Sequence, residues 1–349
     1  MHFGALDTRL LQLKGGPGGW AVEAYAVYAA SGDGRHAQAM EMAKQELGRL
    51  RLHGKDSLIA LSGESTAINL VPVETESHSR LEQLLQDTAS RAVQDPEGIC
   101  YRYLTMSGDE SAVSRDEYML LSIGSSELRR CQNAAEILGL RPCGIEMNAF
   151  PIARALSAVN AEQQDPWGFL HIGFNNSLFG IVHEDEIRFL KPMQLTGEAL
   201  LTRLQETIAG FSDQSEEINA EDIFAPHEDN STTCAPDSAG IATMHRNAVG
   251  HAVELLHSLR TESEGLAQEL RACLRHFATR NRGAHMDRIH ISGFGAALPE
   301  VESALANAIA LPISLAKPFT ALGISAPNEV LAEEHLWCAA LGLAMRGYE

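Results

Sequence analysis

The sequence predicts an α/β protein made of two related lobes, and three observations support this fold class. The chain has 349 residues, a length that suggests two lobes or one large α/β unit. Hydrophobic residues make up 45% and charged residues 21%, which is typical of a packed globular protein and excludes wholesale disorder. A segment of strand, glycine bend, strand and turn occurs at the N-terminus and again near the middle of the chain.

The two copies of this segment share one layout. His2-Phe3-Gly4 precedes an apolar run at 10–13 and a turn, and His171-Ile172-Gly173 precedes an apolar run at 178–182 and a turn. Glycine at such a bend lets backbone amides approach phosphate oxygens without a Cβ in the way. The duplication predicts two equivalent hairpins whose glycine bends face each other across one cleft. The glycine-rich stretch 15–19 is interpreted as a simple turn, because it lacks the Lys-Ser/Thr of a Walker loop.

The remaining elements of the first half follow in order. Apolar spacing predicts helices at 36–53, 81–93 and 126–138 and strands at 58–61, 67–73 and 117–123. Ser125 or Ser126 is a candidate N-cap of the third helix, and Gly139 is its expected C′ residue.

The second half adds further helices and strands after its hairpin. The polar segment 212–240 is expected to be a mobile acidic loop, followed by a helix to about residue 280 with a break near 263–265. A strand at 288–292, a helix at 299–310, a short strand at 311–315 and a closing helix at 333–345 complete the prediction. His290 alternates with Ile289 and Ile291, which predicts that it lies on the outer face of its strand.

Charge and cysteine usage exclude several classes of protein. The net charge of −19 argues against nucleic-acid binding and against direct membrane adsorption or insertion. The six cysteines are scattered without zinc-type spacing, which indicates reduced thiols in a cytoplasmic protein. The chain shows neither a signal peptide nor a long uninterrupted apolar stretch.

Seven short motifs occur in one order along the chain. They are the opening hairpin, 54–73, 128–142, 145–156, 195–200, the Ser-Gly-Phe-Gly-Ala stretch in 291–299, and 339–344. In this order they resemble the motifs of the type IV pilus assembly protein PilM family, which is related to the cell-division protein FtsA. Single motifs of this kind are weak, but their shared order is specific.

The resemblance implies an actin-like ATPase fold, with two lobes of ribonuclease-H-like topology and an extra PilM/FtsA-type subdomain. The first lobe would comprise 1–53 and 144–164, and the extra subdomain 54–143. The second lobe would comprise 165–200 and 286–349, with a last helix that could return to the first lobe. A helical subdomain with the acidic loop would comprise 201–285.

The resemblance also implies a nucleotide cleft, which departs from the family pattern in this chain. The implied nucleotide-binding residues are Gly4, Arg9 in place of the family's lysine, Gly173, Asn175, Asn176, Gly197, Glu198, Gly293 and Gly295. Active relatives carry an aspartate two residues before each phosphate-loop glycine, whereas this chain has His2 and His171. A neutral imidazole is a poor partner for Mg²⁺, which prefers oxygen ligands.

Three interpretations of the cleft therefore stand side by side. The favoured one is a degenerate pseudo-ATPase without catalytic residues or a metal. The second is a chain that still binds ATP, weakly or without magnesium. The third is a transition-metal site between His2 and His171, which is disfavoured because two imidazoles need a third ligand.

For function, the resemblance implies a cytoplasmic scaffold of a pilus or related secretion machine, held at the inner membrane by a protein partner. The implied partner is the N-terminal cytoplasmic peptide of PilN, a bitopic membrane protein, with a groove near Ile68, Leu70 and Val71. The acidic net charge favours a basic partner peptide, and a homo-oligomer is compatible with the sequence. The alternatives are an active actin-like ATPase or kinase and the cytoplasmic domain of a GspL-type secretion protein.

Overall fold

The computed structural model describes residues 1–16, 19–29, 44–45, 47–48, 50, 52–61, 66–73, 78–106, 116–209, 238–281 and 284–347. The predicted helix at 36–53 and the predicted acidic loop at 212–240 lie largely outside these residues.

The described strands and helices alternate along the chain. In order, the strands are β1 (His2–Phe3), β2 (Asp7–Gly16), β3 (Gly19–Ala29), β4 (Asp56–Leu61), β5 (Thr66–Val73), β6 (Ile99–Thr105), β7 (Asp116–Gly124), β8 (Arg141–Met147), β9 (Trp167–Ile172), β10 (Ser177–His183), β11 (Glu186–Met193), β12 (Ile289–Ser292) and β13 (Ile313–Leu315). The helices are α1 (His78–Ala92), α2 (Ser125–Ile137), α3 (Ala149–Val159), α4 (Gly197–Ala209), α5 (Ser238–Arg280), α6 (Val301–Ala308), α7 (Pro318–Ala321), α8 (Asn328–Ala332) and α9 (Glu334–Arg346), with a 3₁₀ helix at Phe294–Ala297.

Two five-stranded sheets with the same topology form the two lobes. Their strand orders are β3-β2-β1-β4-β8 and β11-β10-β9-β12-β13. In each sheet an antiparallel hairpin joins the first strand on one side, and two parallel strands follow on the other. The predicted duplication of the opening hairpin is confirmed.

A third sheet, of order β5-β7-β6, is fully antiparallel and pairs with neither of the five-stranded sheets. Helix α1 covers one of its faces, where Leu85 and Leu120 are completely buried. This sheet is smaller than the extra subdomain predicted at 54–143. Strand β4 pairs with β1 and β8, and α2 packs on the first sheet, because the buried run Ile59-Ala60-Leu61 suits a central parallel strand.

Helices α3 and α9 pack against each other and fill the space between the sheets. Ile152 and Leu156 of α3 share one core with Phe169 and Leu178 of the second lobe. Helix α9 also packs on β2, so the chain returns to the first lobe at its end.

Several local predictions need correction. Helix α5 continues through 263–265, because the buried Ser263 hydroxyl donates a hydrogen bond to the Leu259 carbonyl 2.8 Å away, inside the helix. Helix α2 begins after Gly124, and the Asp95 carboxylate, rather than a serine, accepts the Ser126 N–H at 3.0 Å.

The predicted outward position of His290 is also wrong. Strand β12 lies between β9 and β13 in the sheet, and all four of its residues are buried, so both of its faces are covered. The His290 Nε2 atom lies 3.1–3.2 Å from the side-chain amide of Asn160, and its ring packs edge-on against Trp167. Among the described helices, none has the length and apolar character needed to span a membrane.

Candidate functional site

The glycine bends of the two lobes meet at one small cavity. Gly4 follows β1, Gly173 follows β9 and Gly293 follows β12, and all three line a space of about 80 Å³. Gly293 has a φ of 87°, and a Cβ there would lie 2.6 Å from the Ile172 carbonyl oxygen. Only glycine therefore fits at this bend. The expectation that the bends face one cleft is confirmed.

Most, but not all, of the predicted cleft residues line this cavity. Those that do are His2, Gly4, Arg9, His171, Gly173, Asn175, Asn176 and Gly293. Gly197 instead packs against Gly173 and Phe294, Gly295 packs on Ile172, and the Glu198 side chain is exposed. Asn148, at the end of β8, also lines the cavity and was not predicted.

The two histidines that replace the family's aspartates are buried and uncharged. Burial, together with the positive charges of the terminal amine and Arg9, lowers the pKa of His2 to about 3. Burial, together with the nearby His2, lowers the pKa of His171 to about 3. The Nδ1 atom of His171 lies 3.2 Å from the Ser292 hydroxyl, which fixes its ring. Neither residue supplies the negative charge that a magnesium ion needs.

Arg9 is held tightly at the cavity wall. Its Nη2 lies 2.7 Å from Asp7 Oδ2 and its Nε 3.3 Å from Asp7 Oδ1, so the carboxylate binds one edge of the guanidinium. Trp337 lies beneath the guanidinium, whose carbon is 5.0 Å from the ring centroid. The Nη1 atom lies 3.5 Å from a carboxylate oxygen of Glu333. Arg9 is therefore a fixed part of the cavity wall.

Backbone amides that would form a phosphate cradle already have partners within the protein. The Gly4 N–H donates to the Asp7 carbonyl at 2.8 Å, and the Gly293 N–H donates to the His335 carbonyl at 3.1 Å. The Gly197 N–H donates to the Gly173 carbonyl at 2.8 Å. A phosphate would have to displace these bonds.

The cavity does not fit a magnesium nucleotide. Sites for molecules of that size commonly enclose about 300–1,000 Å³, whereas this one encloses about 80 Å³. The carboxylates expected at positions 2 and 171 are imidazoles, and Asp7 is engaged by Arg9. Within the part of the chain that the structure describes, no three His, Cys, Asp or Glu side chains form a group able to hold a metal ion.

A larger groove lies where the extra sheet meets both lobes, and it encloses about 710 Å³. Leu104 and Thr105 of β6 form one wall, Phe150 and Ala153 of α3 form the floor, and the β10–β11 turn closes one end. Strand β6 is an edge strand of its sheet, so one side of its backbone has no neighbouring strand in the β5-β7-β6 order. Asp185 and Glu186 are exposed at this turn, where Arg188 pairs with Glu186 at 3.0 Å.

The residues predicted to form a partner groove, Ile68, Leu70 and Val71, do not line this groove. Val71 is buried under α1, Ile68 packs toward the core between the lobes, and Leu70 is exposed on β5. Alternation along a strand explains the difference, since Val71 faces the opposite side from Ile68 and Leu70. The groove lies on the β6 side of the sheet. Strand β6 was missed in the sequence, although Ile99, Tyr101 and Tyr103 show the alternation of a strand.

Two five-stranded sheets of matching topology around a cleft between lobes define an actin-like ATPase fold. The model of the family "Type IV pilus assembly protein PilM" matches residues 236–348. The whole structure is similar to a solved PilM-PilN type IV pilus biogenesis complex, with a TM-score of 0.71 and 17% identity. That match covers 100% of this chain and 97% of the other. The resemblance to PilM is therefore confirmed.

Two other solved structures are more distant. The ethanolamine utilization protein EutJ from Carboxydothermus hydrogenoformans has a TM-score of 0.49 and 12% identity, over 99% of this chain and 87% of the other. The cytoplasmic domain of EpsL, from the type II secretion system of Vibrio cholerae, has a TM-score of 0.36 and 10% identity, over 60% of this chain and 79% of the other. No curated protein matches the sequence significantly.

Proposed function

We propose that this chain is a cytoplasmic scaffold of a type IV pilus or related secretion machine and works without ATP hydrolysis. In this proposal it binds the N-terminal cytoplasmic peptide of a PilN-like bitopic protein, which holds it at the inner membrane. The observation that carries the proposal is the groove between β6, α3 and the β10–β11 turn. The match to PilM in sequence and fold supports it.

The groove has the chemistry to hold an extended peptide. The free edge of β6 offers backbone donors and acceptors for strand addition, and the apolar floor offers pockets for alternate side chains. Leu104 is 36% exposed on the groove wall, so a bound peptide can cover it. The exposed Asp185 carboxylate favours a peptide with a Lys or Arg at the end nearest the turn.

The residues that line the cleft support the part of this proposal that excludes ATP hydrolysis. Phosphoryl transfer depends on metal-held oxygens and a positioned water. The positions that supply carboxylates in active relatives are buried neutral histidines here. Purified protein should therefore release no phosphate from ATP above background, with or without Mg²⁺. Robust turnover that is lost in His171→Gln would contradict the proposal.

Peptide binding tests the groove with two matched substitutions. Leu104→Asp and Leu70→Asp each place a charge on an edge strand of the same sheet, at side chains that are 36% and 40% exposed. A bound peptide covers only the exposed third of Leu104, which is worth about 0.5–1 kcal/mol, and burying an unpaired polar group there costs about a further 1–3 kcal/mol. Leu104→Asp should therefore weaken a synthetic PilN-like tail peptide about tenfold or more. Leu70→Asp should leave the affinity within about twofold.

The two variants also show whether the peptide binds beside β6 or beside β5. Loss of binding in Leu70→Asp, with Leu104→Asp unchanged, would place the peptide at β5. No binding of the tail peptide to the parent, measured by calorimetry at low salt, would refute the scaffold proposal. Circular dichroism of each variant shows whether it is folded.

A further inference from the structure

An ion pair joins the extra sheet (β5-β7-β6) to the second lobe. Arg280, the last residue of α5, donates a hydrogen bond from Nη1 to the carboxylate of Glu117 on β7, which lies 163 residues earlier in the chain. The Glu117 side chain is only 18% exposed, and that of Arg280 is 43% exposed. Partly buried pairs are screened less by water and salt than exposed ones, so this pair can contribute to the relative position of the two parts.

Both partners of the pair are attached to packed elements. Phe277, one turn before Arg280, is buried in the core of the second lobe, as is Leu270 of the same helix. On the other side, Glu117 lies on the face of β7 that also carries Met119, which is completely buried in the core between the lobes. The pair therefore connects two elements that are each fixed by their own core.

Glu117 also reaches the groove through its backbone. Its carbonyl accepts the Met106 N–H at 2.7 Å, and Met106 directly follows β6. Leu104 and Thr105 of β6 form the groove wall, whereas the β10–β11 turn that closes one end belongs to the second lobe. The position of this wall relative to the turn therefore depends on how the extra sheet is held against the second lobe.

Apolar packing brings the same two parts together. Ile68 and Met106 beside the extra sheet and Ile187 of the second lobe pack against one core, and β5 contacts β11. Such packing is non-directional, whereas a hydrogen bond between a guanidinium and a carboxylate needs a defined geometry. Arg280 thus supplies a directional contact at this interface.

We propose that Arg280 is a positioning residue for the groove. Through Glu117 it holds the β6 wall at a defined distance from the β10–β11 turn, and so sets the affinity of the groove for a peptide. This inference rests on the proposed function, because the groove is the peptide site of that proposal. Arg280 is not among the described residues that line the groove, so it acts through Glu117 and not on the peptide.

The first measurement is the affinity of the full chain for the synthetic PilN-like tail peptide, by calorimetry. Arg280→Gln should weaken binding about threefold to fivefold, the size expected from the loss of one partly exposed ion pair. Arg280→Lys keeps the charge and should recover part of this loss. The double variant of Arg280→Gln with Glu117→Gln should bind no more weakly than Arg280→Gln alone, because both changes remove the same pair.

Arg260→Gln is the matched control. Arg260 is an exposed arginine of the same helix, and its partner Glu264 lies one turn away, so that pair stays within α5. This variant removes the same charge without touching the contact with the extra sheet, and it should bind the peptide as the parent does. An equal loss of affinity in Arg260→Gln and Arg280→Gln would assign the effect to net charge and overturn the proposal.

Hydrogen exchange measures the positioning without the peptide. In Arg280→Gln, amides of the segment 99–106 should exchange about threefold to fivefold faster than in the parent, and in Arg260→Gln they should exchange at the parent's rate. If the parent does not bind the peptide, the proposed function fails, and exchange of this segment alone decides whether Arg280 holds the end of β6. Parent-like exchange in Arg280→Gln overturns the inference in either case. Where the parent binds, parent-like peptide affinity in Arg280→Gln also overturns it.

Discussion

Acidification should destabilise this protein well before its carboxylates titrate, because four histidines are buried in uncharged form. Burial lowers the pKa of His2 and His171 to about 3 and that of His290 and His335 to about 4. The ordinary pKa of a histidine is about 6.5. Below that value the unfolded chain binds protons that the folded protein does not accept.

The sign and size of the effect follow from proton linkage. Since the folded pKa values are depressed, the contribution of the four histidines to stability is constant above about pH 6.5 and falls as the pH drops toward 3–4. The buried terminal amine, whose pKa is lowered by burial to about 5, adds a loss of its own below about pH 8. Between about pH 8 and pH 5.5 each histidine lowers the free energy of unfolding by about 1.4 kcal/mol. The four together lower it by on the order of 5 kcal/mol, a large share of the about 5–15 kcal/mol that stabilises a typical domain.

Urea unfolding of the parent and one variant at the two pH values measures this effect. His335→Gln removes one buried imidazole, so its loss of stability on acidification should be smaller than the parent's by about 1.4 kcal/mol. The control is His257→Gln, which removes an exposed histidine of α5 and so tests whether the effect needs a buried imidazole. Equal acid sensitivity of His335→Gln and the parent would refute the assignment of a buried neutral imidazole at this position.

Three further predictions concern packing, metal binding and the independence of the two sites. Gly342→Ala should destabilise the protein by several kcal/mol in thermal or urea unfolding, since its Cβ would overlap the Pro151 carbonyl oxygen between α9 and α3. In the double variant His2→Asp with His171→Asp, Mg²⁺ should raise the melting temperature, because carboxylates suit that ion. In the parent, Mg²⁺ should not raise it. Arg9→Gln should bind the tail peptide within about twofold of the parent in calorimetry, because Arg9 does not line the groove.

The sequence predicted what is encoded locally and missed what depends on distant partners. The hairpins at His2 and His171 were predicted because strand alternation and a glycine bend are local patterns. The burial of His290 was not predicted, because it depends on a contact with Asn160, which lies 130 residues away in the sequence. In the cleft, the histidines were identified by position, but the contact of Arg9 with Trp337 forms only when α9 returns to the first lobe.

Helix α9 contacts both the cleft and the groove, and these contacts hold the walls of both in place. Its first turns carry Trp337 beneath Arg9, and near its end Met345 lines the groove. Midway, Gly342 touches Pro151 so closely that a methyl group would not fit, and the Gly342 carbonyl accepts a hydrogen bond from Arg154 at 3.0 Å. A helix fixed at both ends and in the middle has little freedom to slide between two positions. In this chain these contacts of α9 therefore favour one fixed arrangement of the cleft and the groove.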